Sequence, residues 1–403
     1  MSLVSSLVKN IKPSPTLLLT QRAKELQRQG VDIISLTAGE PDFETPPLVK
    51  EVAIRAIQEG FTKYTAVGGI PELKVAVQKK FMEENNLDYD VDEIIISNGG
   101  KQVLYNLFLA SINPGDEVII PAPYWVSYID MIILAGGKPV IVECSEEDDF
   151  KLTYSKLRKF ISNKTKWLIL NSPSNPTGAV YSQKELESIA EVARECPNLN
   201  IVTDDIYEHI IFDDEKFSNL AMVAPDLKSR IFIVNGVSKA YSMTGWRIGY
   251  GAGNSDLINA MTKIQSQSTS NPCSISQKAA REALAGPQDI IHERKMDFQA
   301  RRNYIYSSMK SIVGIDCMMP KGAFYLFPSC KNFFGKKTPS GFAIRDSNDF
   351  AEYLLNSARV AVVPGSAFGM DGYFRMSYAI SKHQIMEAGI RIADACEKLL
   401  YTE

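Results

Sequence analysis

The chain is poor in histidine. It has three among 403 residues, His209, His292 and His383, too far apart in sequence to match a metal-ligand spacing. Its six cysteines, Cys144, Cys196, Cys273, Cys317, Cys330 and Cys396, form no C-x-x-C pair, so neither a zinc site nor a redox dithiol is signalled and no metal is expected. Scattered cysteines in a chain of this length suit a reducing compartment, and a cytoplasmic protein is expected. No apolar run approaches the roughly 18 residues of a membrane helix. The stretch Met1 to Thr20 carries Pro13 and Pro15 and lacks a compact apolar core with a small-residue cleavage site, so no secretory leader is expected. Net charge is −3, with acids and bases interspersed. Without a basic tract, neither nucleic acid nor an anionic membrane is an expected partner. Internal repeats and low-complexity segments are also lacking.

What remains is an ordinary composition, 45% hydrophobic and 23% charged, which allows a packed enzyme and disfavours disorder. The length exceeds one simple core and implies two domains, or one large α/β domain with an appendage. Short apolar runs at Glu93 to Ser97, Glu117 to Ile120, Pro139 to Val142, Trp167 to Leu170, Leu199 to Thr203 and Ile231 to Val234 read as strands. Amphipathic stretches separate them. Alternation of this kind predicts crossover units and a largely parallel sheet with helices on both faces. After about residue 290 the pattern changes. A helical stretch from His292 to Lys310 is followed by strand-like Gly322 to Phe327, a helix through Phe350 to Ser357, and strand-like Val360 to Gly365 and Phe374 to Tyr378. This end reads as a smaller α+β domain. Lys331 to Ser347, rich in Gly, Lys and Ser, is the expected mobile surface loop.

Residues with chemistry fall at predicted strand ends, where parallel sheets collect ligands. Lys239 follows the strand ending at Val234, in a run from Asn235 to Tyr250 rich in small and hydroxyl residues, and Arg247 lies eight positions on. An amine that can form a Schiff base, beside a guanidinium that can hold a dianion, suits pyridoxal phosphate. Alone, Lys239 reads as a surface lysine. Gly99-Gly100-Lys101 opens a helix and can bring backbone amides to a phosphate, though Gly-Gly is also a plain turn. Asp204 and Tyr207 follow another strand. The carboxylate can pair with a protonated pyridine nitrogen and the phenol with a ring oxygen, or the pair can be an N-cap with a packed tyrosine. Asn175 lies in the Pro- and Gly-fixed loop Asn171 to Gly178. Trp125 can stack on a flat ring, and Arg375 can clamp a carboxylate through two N–H groups. Each has a bland reading as turn, core or surface ion pair. Together they supply what one cofactor needs.

These motifs resemble the fold-type I pyridoxal-phosphate aminotransferases, most closely the bacterial aspartate aminotransferase branch. The similarity runs over nearly the whole chain, through Ala38 to Phe43, Lys63-Tyr64-Thr65, Gly99 to Gln102, Pro123 to Tyr128, Asn171 to Gly178, Asp204 to His209 and Ser238 to Gly249. It implies a large cofactor-binding domain over 46–290 and a small domain built from both chain ends, 1–45 and 291–403. It also implies that pyridoxal 5′-phosphate is bound as a Schiff base on Lys239, which then moves the substrate's α-proton. Asp204 would be the ring-nitrogen partner and Tyr207 the phenol at the 3-oxygen, with Asn175 near that oxygen. Trp125 would be the stacking ring, and Ser238, Arg247 and the amides of Gly100 and Lys101 the phosphate cup. For substrate, it implies Arg375 at the α-carboxylate, Gly39 in a closing loop, and Lys101 at a distal carboxylate. Tyr64 would reach the phosphate of a neighbouring subunit, which implies a homodimer with shared sites. Lys12 and Thr16 lie where a second substrate would be read. The expected reaction is L-aspartate plus 2-oxoglutarate giving oxaloacetate and L-glutamate. The alternatives are prephenate or aromatic transamination, alone or in addition, and C–S lysis. A non-catalytic effector-binding module need not keep Lys239, Asp204 and Arg375 together, and here all three stand.

Overall fold

Six of the strands expected from apolar runs form, and they share one sheet. In the computed structural model, which describes residues 3–9, 11 and 15–400, a two-residue strand β1 (Ile34–Ser35) precedes β2 (Ile94–Ser97), β3 (Glu117–Ala122), β4 (Lys138–Glu143), β5 (Thr165–Asn171), β6 (Asn200–Asp204), β7 (Ile231–Gly236) and β8 (Gly249–Ala252). The last seven make a sheet in the order β2-β8-β7-β6-β5-β3-β4. Pairings from β7 through β4 are parallel, whereas β8 runs antiparallel to both of its neighbours. β8 carries no apolar run (Gly-Tyr-Gly-Ala), so its sequence does not mark it as a strand.

Alternate residues along each strand feed two cores, as a period of two requires. Ile94, Ile96, Ile119, Leu168, Leu170, Ile201, Ile231 and Ile233 pack on one face, with residues of the helices Pro71–Asn85, Gln183–Glu195 and Ser274–Ala285. Ile95, Val118, Ile120, Ile169, Val202, Phe232 and Val234 pack on the other, with the helices Gly100–Ser111, Ser127–Leu134 and Ser255–Ser266. Both faces are covered, which is why these strands are apolar throughout rather than alternating.

The chain ends meet in a second structure. β1 pairs in parallel with β10 (Val360–Ala361), and β11 (Val363–Pro364), β12 (Phe374–Ser377) and β9 (Tyr325–Leu326) form a three-stranded antiparallel sheet. The helices Asp289–Lys310 and Lys382–Leu400 close its core around Phe298, Phe324, Phe350 and Phe374. Two expectations are corrected here. The strand read over Gly322 to Phe327 forms only at β9. The loop read as mobile, Lys331 to Ser347, is anchored: Phe333 and Ile344 are fully buried, and Gly335 and Lys336 exchange backbone hydrogen bonds with Ile344. Aromatic and branched residues within the polar run hold it down. Among the described residues no helix is long and apolar enough to cross a membrane, and all six cysteines are free.

Beneath the sheet ends lies a buried polar knot. Lys80 pairs with Glu208 and donates to Asn85 Oδ1 at 2.7 Å, while Asn85 and Asn235 donate to the two Glu208 oxygens at 3.1 and 2.7 Å. Burial alone would raise the Glu208 carboxyl, but the charges of Lys80 and His209 outweigh it and hold it below the usual range. Glu84, Glu208 and His209 converge there, and the Lys80 ammonium reaches both carboxylates. The knot ties the helix Pro71–Asn85 to the turn after β6 and to β7. Removing one partner strands a buried charge. Lys80→Met should therefore lower global stability by about 3–5 kcal/mol, read from the denaturant midpoint at unchanged slope. A loss below about 1 kcal/mol, the scale of a surface pair, would show that Glu208 does not depend on Lys80.

Candidate active site

The parallel strands β5, β6 and β7 end at Asn171, Asp204 and Gly236, and a cavity of about 510 Å³ opens beyond those ends. Because β8 runs antiparallel, its first residue sits at this same edge: Gly249 pairs with both Gly236 and Ser97. A Cβ on Gly249 would lie 2.2 Å from the backbone nitrogen of Gly100. Only glycine there lets the start of the helix Gly100–Ser111 close against the sheet. The turn into β8 thereby carries Arg247 to the rim. Its backbone is left-handed (φ 57°), and its guanidinium donates to Thr244 O at 2.8 Å and Asn98 O at 3.3 Å. A Cβ on Gly99 would meet that guanidinium at 2.4 Å.

Lys239 is half-buried, and its Nζ donates to Gly39 O at 2.5 Å and lies 5.8 Å from the Tyr207 ring centre. Burial, with the neighbouring Arg247 and Arg375 charges, pulls its amine down to about 8, against the opposing pull of Glu40 and Asp204. Asp204 is 6% exposed, accepts Tyr128 OH at 2.6 Å and the Ile206 N–H at 3.4 Å, and is raised by burial to about 6. It is therefore mostly charged at neutral pH. Asp205 lines no part of the cavity; it accepts from Asn219 at 2.7 Å and is pushed well up by burial and by Glu208. Tyr207 shares a hydroxyl contact of 2.8 Å with Tyr325.

Arg375, on β12, is 2% exposed. It donates to Asn175 Oδ1 at 2.9 Å and Thr37 O at 2.7 Å, and its Nε has no partner. Its plane lies over Tyr325 and Phe368, at 4.5 and 5.0 Å. Burial pulls the guanidinium below its ordinary range. Among the described residues no carboxylate pairs with it. Lys101 is exposed, sits 5.0 Å from the Trp125 ring centre, and is lowered by burial and then by Arg247.

The cavity thus brings together Gly39, Gly100, Lys101, Trp125, Asn175, Asp204, Tyr207, Ser238, Lys239, Arg247 and Arg375. Tyr64 is not among them: it is 90% exposed and outside the cavity of its own chain. Lys12 lies outside the described residues, as does the side chain of Thr16. The sequence reading passed over Tyr128, Asn171, Thr37 and Tyr325. Each is joined to a site residue by a hydrogen bond from a distant element, for which sequence holds no local signal; Asn171 Nδ2, for instance, donates to Asp204 O at 2.9 Å.

The donor set fits a flat, anionic, ring-bearing group. At one end are helix-start amides, Ser238 and Arg247, which suit a phosphate. Asp204 can hold a protonated ring nitrogen, and an amine of lowered pKa stands beside it. The unpartnered Nε of buried Arg375 suits a second anion, a carboxylate.

The model of the aminotransferase class I and II family matches residues 31–392. The probable aspartate/prephenate aminotransferase of Rickettsia typhi is 61% identical over 99% of this chain and 100% of its own. The aspartate aminotransferase of Rhizobium meliloti is 50% identical over 98% and 96%. A crystal structure of the aspartate aminotransferase from Rhizobium meliloti superposes with a TM-score of 0.96 at 49% identity, covering 99% of this chain and 100% of that one. The Thermus thermophilus aspartate aminotransferase with maleate gives 0.90 at 42% identity, covering 98% and 100%.

The Lys239 environment makes a direct prediction. An amine-directed reagent should label Lys239 of the cofactor-free protein at a rate that rises with pH about a midpoint near 8, because the ammonium below it is unreactive and the amine above it is not. A midpoint at the ordinary 10.5 would show that burial and the two arginines do not lower it.

Proposed function

The chain belongs to the class I and II aminotransferases, and on that premise we propose that it is a homodimeric, cytoplasmic aspartate aminotransferase. It would hold pyridoxal 5′-phosphate on Lys239 and convert L-aspartate and 2-oxoglutarate to oxaloacetate and L-glutamate. The observation that carries the reading is the pairing, in one cavity, of a lowered-pKa lysine with a buried arginine that meets no carboxylate among the described residues. Names of the relatives and a neighbour described with maleate, a four-carbon dicarboxylate, support the substrate class.

The cofactor, when bound, supplies an electron sink for charge developing at the substrate's α-carbon. The protein's residues do the rest. Ser238, Arg247 and the amides at Gly100 and Lys101 hold the phosphate. Asp204, charged, would keep a proton on the ring nitrogen. Tyr207 and Asn175 would hold the ring's 3-oxygen, and Trp125 would stack on the ring. Arg375 binds the substrate α-carboxylate and so orients the α-hydrogen, with the loop through Gly39 closing above. Lys239 Nζ, which its lowered pKa makes easier to deprotonate, takes the α-proton as general base in its neutral form. Lys101, exposed and unpaired among the described residues, meets the distal carboxylate. Relatives named for both aspartate and prephenate favour a second reading, that prephenate is also accepted. A dimer is supported by Tyr64, which is exposed, as are the apolar Ile54 and Ile57 of the helix Pro47–Gln58. A reducing location is supported by six free cysteines.

Purified protein with pyridoxal phosphate should show a visible band that L-aspartate bleaches and 2-oxoglutarate restores. A band unmoved by L-aspartate would keep the cofactor, reject the substrate and turn attention to prephenate and aromatic pairs. Absence of a band would reject the reading. Lys239→Ala should lower turnover at least roughly 10²–10⁴-fold, the scale of a positioned base; retained turnover would remove it from that role. Lys101→Ala should raise KM for L-aspartate about ten-fold or more and leave KM for L-phenylalanine nearly unchanged. Equal effects on both would confine Lys101 to the phosphate.

A further inference from the structure

Asp204 stands at the end of β6, yet its backbone neighbours barely orient it: the Ile206 N–H reaches Oδ1 only at 3.4 Å. The short contact comes from elsewhere. Tyr128, in the first turn of the helix Ser127–Leu134, is 1% exposed and donates its hydroxyl to Asp204 Oδ2 at 2.6 Å. A buried phenol has one proton to give, and here it goes to a carboxylate, in a charge-assisted bond. The same ring meets Trp125 edge-on, with centres 5.3 Å apart and planes at 86°. Trp125 in turn carries Lys101 Nζ 5.0 Å from its centre. One side chain therefore touches both the indole and the carboxylate of the cavity, across 76 residues of sequence. A carboxylate offers about four lone-pair sites. The protein bonds described here use two, one on each oxygen, and leave acceptor capacity on both.

We infer that Tyr128 is a positioning residue for Asp204: its hydroxyl fixes the carboxylate's rotation and favours its charged form, so that the negative charge faces the ring nitrogen of the cofactor. The inference rests on the function proposed above. A role in packing alone makes a different forecast, because Tyr128→Phe keeps the ring, its burial and its edge contact with Trp125 and removes only the donor.

The test compares wild type, Tyr128→Phe, Asp204→Asn and the double variant. Four quantities are read: the pyridoxal phosphate dissociation constant by equilibrium dialysis, the pH midpoint of the visible band, steady-state kinetics, and the cofactor-free melting temperature. Tyr128→Phe should weaken cofactor binding and lower kcat, each about ten-fold, the scale of one hydrogen bond to a charged group. It should shift the pH midpoint, hold KM for L-aspartate within about two-fold, and leave the melting temperature in place. In the Asp204→Asn background the same change should have no further effect on cofactor affinity. Wild-type affinity and midpoint in Tyr128→Phe would overturn the inference. So would an equal loss in both backgrounds, or a loss that appears only together with the melting temperature, since these mean packing. Wild type that takes up no cofactor would instead overturn the proposed function itself, and the inference with it.

Discussion

Charge of one sign, gathered into one cavity, is the constraint on which this molecule turns. Lys24, Lys101, Lys239, Arg247 and Arg375 line one cavity whose acids are Asp204 and Glu40. Lys239 lies below its ordinary range through burial first and then through the charges of Arg247 and Arg375, while Arg375 is lowered by burial alone. In this state Lys239 and Arg375 lean on main-chain oxygens of Gly39 and Thr37. Those are neutral acceptors, weaker than a carboxylate or phosphate oxygen. An anionic ligand would exchange weak partners for strong ones and relieve repulsion among the cations, and whatever binds only the folded chain stabilises it. The same arrangement serves chemistry, since an amine can act as a base only when it is not already protonated.

Gathering those groups is the work of the sheet. Parallel strands end at one edge, so Asn171, Asp204 and the approach to Lys239 arrive together from three separate crossover units. Arg247 could not join them if β8 were parallel too, because the residue before a parallel strand lies at the opposite edge. Reversal of β8 brings its beginning, and with it Arg247, eight residues after Lys239, to the ligand edge. The glycine at its first position then admits the helix start carrying Gly100. The meeting of Arg247 with the helix start at Gly100 is thus a consequence of one reversed strand. Arg375 comes from the second sheet, and its grip on Thr37 O and Asn175 Oδ1 bridges both chain ends to the large sheet.

Much of this could be read before the structure. Apolar runs locate six strands because both sheet faces are buried, and residues with chemistry stand out because they follow those runs. Lys239, Asp204, Asn175 and Arg247 were visible on that ground, and the structure gathers them; it gives their positions, while their roles are part of the proposed function. Legibility fails where the signal is not local. β8 has two glycines in four residues and no apolar pattern, so nothing announced a strand, still less its direction. Lys331 to Ser347 looks polar on average, and two buried side chains, Phe333 and Ile344, decide its behaviour. Tyr128, Tyr325 and Thr37 hold other site residues by single hydrogen bonds across 76 to 338 positions. No window along the sequence contains both partners.

The adjacent pair Asp204 and Asp205 shows how one residue of register assigns function. Either carboxylate satisfies the sequence argument, since both follow the same strand. Successive side chains of extended backbone point to opposite faces, and β6 is pinned by its pairing with β5 and β7. Asp204 therefore opens on the cavity beside Lys239, while Asp205 turns into the polar knot with Asn219 and Glu208. Their surroundings then separate their chemistry. Asp204 keeps a phenol donor and a nearby ammonium and stays mostly charged at neutral pH. Asp205 faces the negative Glu208 within a fully buried knot and is pushed toward its neutral form. A slip of one position would exchange them, putting a reluctant acid beside Lys239 and a free charge in the core. The Lys80–Glu208 knot resists that slip by tying the turn after β6 to a helix and to β7, so stability stored beneath the sheet protects the charge displayed at its edge.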